Sequence, residues 1–372
     1  MTRTMPTHSR KGRRVRYGVV GLGHIAQKAV LPAFAHARNS TLTALVSGDG
    51  EKRRVLGERY GVARRFSYDD YAACLAEVDA VYLCTPNSEH AEQAIQAARA
   101  GVHVLCEKPL AVTDAECAAM LAARDAGRVK MMTAYRLHFE PLTLDVLGHC
   151  RAGRLGDLRY FSSAFSMRAT PGNIRTRRET GGGSVYDLGI YCINAARMLF
   201  GAEPERVSAH TIAGARSAMP DVDETTAAVL HFAGDRLATF TSSFDAVDVS
   251  TYRIVGTDGE IVVDPAYEYA EPLAYTMTIG ETTTRKRGRK LDQFAAELMY
   301  FSRCILDDQA PEPSAEEGAW DVRIIDALYE SARRGETIGL RPFADPGPTA
   351  DQATAVPPSR PPAPVHAEPP HD

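Results

Sequence analysis

An apolar strand, Val15-Arg16-Tyr17-Gly18-Val19-Val20, runs directly into Gly21-Leu22-Gly23-His24-Ile25-Ala26 and then into a helical stretch reaching residue 35. No other feature narrows the fold so far. Strand, G-x-G-x-x-A turn and helix open a βαβ unit: the glycines let the backbone turn tightly and approach a pyrophosphate, and the amides at the helix N-terminus meet its charge. The same turn also occurs without a ligand, so its meaning depends on the elements downstream of it. Strands over 42–46, 80–84, 102–106 and 130–133 alternate with helices over 71–76, 89–99 and 114–126. That alternation predicts a doubly wound parallel sheet covered on both faces, ending near Thr133.

In such a sheet the ligand crevice lies outside the C-terminal ends of the strands, so polar residues there are candidates for cofactor contact. An NAD-type site wants a carboxylate at the tip of the second strand to accept both ribose hydroxyls. Here the tip is Ser47, with Asp49 two residues on and Lys52 and Arg53 opening the next helix. A hydroxyl with nearby cations suits a 2′-phosphate and predicts NADP(H). A solvated basic helix start, or a role for Asp49, is the alternative. Thr85 and Asn87 follow strand 80–84. Glu107-Lys108-Pro109 follows strand 102–106, with Pro109 ending the strand. His90 opens a helix at the same edge, either as a cofactor contact or as a surface histidine.

From residue 134 the pattern changes. After a helix to about 151, strands are expected over 158–165, 206–212, 225–232, 236–244, 252–256, 260–264 and 274–279. Several alternate apolar with polar residues, as an antiparallel sheet with one covered face does. Late helices over 291–306 and 315–334 close the fold. The expected organisation is a flexible basic arm over 1–14, a nucleotide domain over 15–133, a second α/β domain with a large, mostly antiparallel open sheet over 134–341, and a Pro-rich tail over 342–372. The tail reads as disordered or polyproline-like. The basic run 285–290 reads as a solvated loop.

Gly181-Gly182-Gly183-Ser184-Val185-Tyr186-Asp187-Leu188-Gly189-Ile190-Tyr191 interrupts the strands and has two readings. As a helix start, Ser184 is the N-cap and Asp187 approximates the acidic partner of a capping box. As chemistry, Asp187 and Tyr191 stand four apart and put a carboxylate and a phenol on one helix face.

Composition closes off other classes. A chain of 372 residues favours two domains, and 44% hydrophobic with 24% charged residues fits a globular protein. A net charge of -4 gives no reason to expect nucleic acid. Seven cysteines, odd in number and without C-x-x-C or other metal spacing, read as reduced thiols in a cytoplasmic protein with no metal site. Arg13-Arg14 invites a twin-arginine export reading, but only a short apolar run separates it from the glycine turn. No stretch is apolar for long enough to span a bilayer.

Taken together, Val20-Gly21-Leu22-Gly23, Leu45-Val46-Ser47-Gly48, Pro86-Asn87-Ser88, His90-Ala91-Glu92, Cys106-Glu107-Lys108-Pro109, Tyr135-Arg136, residues 181–191 and Asp321-Val322-Arg323 resemble the Gfo/Idh/MocA oxidoreductase family, most of all its glucose-fructose oxidoreductase branch. The resemblance implies a Rossmann domain, a second domain whose open sheet pairs subunits into a homodimer or homotetramer, and NADP(H) in the cleft between them. By position it makes Lys108 the lysine of the family's E-K-P motif, Asp187 the acid and Tyr191 the proton-transfer residue. It assigns Ser47 and Lys52 to the 2′-phosphate. Gly21, Leu22, Gly23, His24, Ile25, Thr85, Asn87, His90, Glu107 and Lys108 fall at the cofactor, with Tyr68, Arg136 and Arg175 as further contacts. The implied activity is oxidation of an aldose at C1 to its lactone, with a second sugar as acceptor for the same cofactor. Alternatives are a dihydrodiol or keto-sugar reductase and a non-catalytic NADP-sensing regulator.

Overall fold

Six short runs build the first sheet: β1 (Val15–Val20), β2 (Ser40–Val46), β3 (Arg64–Phe66), β4 (Ala80–Leu83), β5 (His103–Glu107) and β6 (Met131–Ala134). The computed structural model describes residues 12–213, 219, 221–341 and 354–371; most of the basic arm and the start of the tail lie outside them. All neighbouring strands are parallel, in the order β3-β2-β1-β4-β5-β6. β4 and β6 are buried throughout, as strands with helices on both faces are. The order reverses between β1 and β4, and a crevice opens where their C-terminal ends part. The glycine turn lies there. Gly21 has φ +87°, and a Cβ on it would come within 2.7 Å of the Cys84 carbonyl carbon, so only glycine permits this approach.

The second sheet contains β7 (Leu158–Arg168), β8 (Pro204–Ile212), β9 (Thr225–Phe232), β10 (Arg236–Ser243), β11 (Asp245–Gly256), β12 (Gly259–Val263), β13 (Ala274–Ile279), β14 (Thr282–Arg287) and β15 (Ile338–Gly339). Its order is β14-β13-β12-β11-β7-β10-β9-β8-β15, with β7 and β10 parallel and the other pairs antiparallel. One face is covered. Ile190 and Ile193 of the helix Ile190–Phe200, and Ile325 and Leu328 of the helix Ala315–Arg334, share a core with Val207, Leu230, Phe240 and Ile254.

Three observations differ from the sequence reading. The basic run at 285–290 is not simply a loop, because it begins inside β14, an exposed edge strand. Cations on an edge oppose pairing with another chain. The helix Gln293–Asp307 crosses back to the first sheet, where Leu298 and Phe301 are buried beside Tyr17. The described part of the tail, 354–371, is extended and packed rather than disordered, because Val356 is buried in the core of the first sheet and Gln27 holds Val365 at both its amide and its carbonyl. All seven cysteines are unpaired and buried. Among the described residues no helix is long and apolar enough to cross a membrane.

Candidate active site

The glycine-rich stretch is fixed by a residue from outside it. Gly183 has φ +136°, and a Cβ there would lie 2.5 Å from Asp223 Oδ1. Ser184 stands at the N-cap position, but its side chain caps no amide of the helix. Its own backbone is helical (φ -64°, ψ -31°), and its hydroxyl donates to Asp223 Oδ2 at 2.5 Å. The same oxygen accepts the Val185 amide at 3.2 Å and the Thr226 hydroxyl at 2.9 Å, while Tyr329 Oη donates to Oδ1 at 2.5 Å. Asp223, far along the chain, thus supplies the carboxylate at this helix start. Asp187 is no capping-box partner either: its amide bonds Gly183 O at 3.1 Å, and its side chain lines the cleft. The first turn, Val185–Gly189, is π-helical, a local irregularity that recurs at functional sites.

Asp187 meets two cations. Lys108 Nζ, delivered by the end of β5, donates to Asp187 Oδ1 at 3.0 Å and to its carbonyl at 2.8 Å; Arg175 Nε donates to Oδ2 at 2.8 Å. Burial opposes the Asp187 charge, but Arg175 and Lys108 outweigh it and hold the carboxyl down at about 2. Burial likewise opposes the Lys108 charge, yet Asp187 and then Tyr191 raise its pKa above the ordinary lysine value. Lys108 Nζ also lies 4.6 Å from the Tyr191 ring centroid, and Arg136 Cζ lies 5.1 Å from it. Phe165 and Tyr267 flank the same ring at 5.6 and 5.8 Å. Arg136 is held by Gln293 Oε1 at 2.7 Å and by the Tyr267 carbonyl, so it meets Tyr191 as a fixed charge.

A cleft of about 1220 Å³ runs past this cluster. From the first sheet it is lined by Gly23, His24, Ile25, Lys52, Thr85 and Asn87, and at its inner end by Glu107, Lys108 and Arg136. Arg175, Asp187 and Tyr191 form the opposite wall. The turn suits a dinucleotide: a Cβ at Gly23 would meet nothing within 4 Å, so the backbone lies open to a ligand where helix amides point. Burial, with Arg175, Lys28 and His371, lowers the His24 pKa to about 4, so its ring is neutral near pH 7.

The remaining expected contacts sit elsewhere. Gly21 and Leu22 form the floor of the turn, with Leu22 buried. Ser47 is buried and accepts the Asp49 amide at 3.2 Å, whereas Lys52 lines the cleft. Tyr68 is 42% exposed and packs against Gly48. His90 is neither a surface histidine nor in the cleft wall: it is fully buried, with Nδ1 2.9 Å from Pro109 O and Nε2 3.1 Å from Thr85 O, and clamps the ends of β4 and β5 together. Asp49 caps the helix Gly50–Arg59 through Oδ1 and meets His366 through Oδ2. Asp223, Tyr267 and the tail histidines went unseen in the sequence, since none belongs to a local motif.

Residues 15–135 match the family described as an oxidoreductase family with an NAD-binding Rossmann fold, and residues 146–262 match the GFO/IDH/MocA C-terminal domain. The chain belongs to the Gfo/Idh/MocA oxidoreductase family. Among its Gfo/Idh/MocA relatives is a D-xylose 1-dehydrogenase (NADP(+)) of Haloferax volcanii, 33% identical, with 87% of this chain and 99% of the relative covered. Among solved structures, aldose-aldose oxidoreductase from Caulobacter crescentus, complexed with glycerol, is 36% identical with a TM-score of 0.85, covering 88% of this chain and all of that one. A 3-ketoreductase from Actinomadura kijaniata, in complex with TDP-benzene and NADP, is 26% identical with a TM-score of 0.79, covering 86% and 98%. The three residues that the Gfo/Idh/MocA resemblance assigned to catalysis, Lys108, Asp187 and Tyr191, all line this cleft, with Lys108 in contact with the other two.

Proposed function

We propose that the chain oxidises an aldose at C1 to its lactone with NADP+, and that a second sugar can take the hydride back. The observation that carries this reading is the placement of Tyr191 against Lys108 and Arg136, beside Asp187, in the cleft that also holds the glycine turn and Lys52. The names of the xylose dehydrogenase and the aldose-aldose oxidoreductase support the substrate class, and the former supports NADP.

When bound, the nicotinamide supplies the hydride acceptor, or the donor in reverse. The rest falls to the chain. With its phenolic oxygen ionised, Tyr191 takes the proton of the C1 hydroxyl as C1 gives up its hydride; in reduction the phenol gives that proton to the sugar oxygen and is left as the phenolate. Lys108 and Arg136 set positive charge against the ring, which stabilises negative charge arriving on the phenolic oxygen. Asp187 keeps Lys108 charged and in place. Being anionic at neutral pH, it also accepts sugar hydroxyls without taking a proton.

Reduction of a keto-sugar at the same site is a second reading, favoured by the likeness to the 3-ketoreductase. Purified protein, given NADP+ or NADPH and a panel of aldoses and keto-sugars, is expected to reduce NADP+ with an aldose. A response to keto-sugars alone would move the assignment to the second reading, and no response to any sugar would remove both. Tyr191→Phe is expected to lower turnover by about two orders of magnitude or more with NADPH binding near normal; unchanged turnover would take Tyr191 out of the mechanism.

The buried, unpaired thiols support a reducing, cytoplasmic setting. Tyr160 and Leu237, exposed and paired in register on β7 and β10, put an apolar patch on the second sheet that supports association of subunits there.

A further inference from the structure

The end of the chain lies across the mouth of the cleft. Its anchor is on the first-sheet side: Val356 is buried, its carbonyl accepts the Asp292 amide at 2.8 Å, and Ser359 Oγ donates to Asp292 Oδ2 at 2.6 Å. Further on, Arg59 Nη1 donates to Ala363 O at 2.9 Å. Gln27 then grips Val365 from both sides. Its Oε1 accepts the Val365 amide at 2.6 Å, and its Nε2 donates to the Val365 carbonyl at 2.8 Å and to Leu22 O at 2.9 Å, joining the tail to the glycine turn through one side chain. His366 Nδ1 lies 3.0 Å from Asp49 Oδ2, one helical turn from Lys52. The chain next crosses to the opposite lip. Asn173 Nδ2 donates to Pro369 O at 3.5 Å, the Thr170 amide donates to Pro370 O at 3.3 Å, and His371 forms a β-bridge with Ala169. Pro364, His366, Ala367, Glu368, Pro370 and His371 all line the cleft.

We propose that residues 364–371 are a strap that forms the outer wall of the cofactor site and must lift before NADP(H) can enter or leave. The groups it holds on one lip, Gln27 beside the turn and Asp49 beside Lys52, flank the places where a pyrophosphate and a 2′-phosphate would lie. Its contacts on the other lip close the span over them. Prolines at 364, 369 and 370 fix φ, so the extended path is held with little loss of chain freedom. Two of the holding bonds, at Asn173 and at Asp49, lie at the surface, the kind that open locally without global unfolding. The strap rests on the proposed NADP(H) dependence for its cofactor and on nothing about the sugar.

The test compares the full chain with one ending at Ala363, which keeps the Val356 and Ser359 anchors, and with Val365→Pro, which removes the amide that Gln27 accepts and keeps the carbonyl. Each is loaded with NADPH and chased with excess NADP+ while the fluorescence of bound NADPH is followed, and melting temperatures are taken in parallel. Release is expected to be about tenfold or more faster from the shortened chain and intermediate for Val365→Pro, with melting temperatures of the cofactor-free proteins near that of the full chain. Equal release rates from all three would overturn the proposal. So would tighter NADPH binding by the shortened chain, since the segment would then compete with the cofactor for the cleft. A full chain that holds NADH but not NADPH would sink the NADP reading alone, because NADH release rates then decide the strap.

Discussion

Asp187 carries one negative charge between two cations, Lys108 at 3.0 Å and Arg175 at 2.8 Å, in a place where little water reaches. Replacing it with asparagine leaves both cations with no anion between them, and breaking such a pair costs roughly 3 kcal/mol. The pH dependence has a definite sign. Arg175 and Lys108 together depress the folded-state pKa from 3.8 to about 2 against the opposing effect of burial, so the stabilisation is complete above the ordinary carboxylate value and lost as pH falls toward about 2. Melting curves of wild type and Asp187→Asn are therefore expected to stay apart from neutral pH down to about pH 4 and to converge below it. A gap of constant size down to about pH 2 would mean that the carboxylate charge is not its source. Lys108, Asp187 and Tyr191 are legible in the sequence because each lies in a local motif. Arg136 and Arg175 are expected there only as cofactor contacts; that Arg136 reaches Tyr191 and Arg175 reaches Asp187 depends on the path of the chain in space.

The helix that carries Tyr191 shows how an element can be read correctly in its place and wrongly in its cause. Ser184 and Asp187 have the composition of a capped N-terminus, yet the carboxylate that binds this end is Asp223, whose approach no local spacing encodes. By contrast, Thr113 and Glu116 form a complete capping box on the helix Asp114–Gly127, where both partners are sequence neighbours. The dependence on Asp223 makes Gly183 a sensitive position. A methyl group there would lie 2.5 Å from Asp223 Oδ1 and 2.7 Å from Tyr329 Oη, at a φ that side chains avoid. Gly183→Ala is expected to cost roughly 2–4 kcal/mol, through crowding as well as backbone strain. Gly201→Ala is the control, since Gly201 also has positive φ (+57°) but no atom within 4 Å of the added carbon. It is expected to cost about 1 kcal/mol. Urea unfolding of the two variants separates strain from crowding; equal losses would show that Asp223 yields without cost.

On the scale of the whole molecule, the alternating pattern up to residue 133 and the strand-rich pattern after it make both sheets legible, because periodicity reports which face of each element is covered. It does not report which later segment does the covering. The helix Gln293–Asp307 returns to the first sheet, where Ala295, Leu298 and Phe301 are fully buried and Ser302 Oγ lies 2.9 Å from Tyr17 Oη and 2.8 Å from Ser40 Oγ. The matched nucleotide-binding region, 15–135, therefore lacks part of its own cover. A fragment spanning 12–150 would expose that face to water, losing roughly 1.5–3 kcal/mol for each large apolar side chain no longer buried. Such a loss is comparable to the whole stability of a domain of this size. The fragment is expected to bind a hydrophobic dye and to melt without a cooperative transition, whereas a chain in which 293–307 is joined to it by a flexible linker recovers a sharp melt. A cooperative melt of the fragment alone would show that the first sheet needs no cover from the returning helix, and would return the boundary to where the alternating pattern ends.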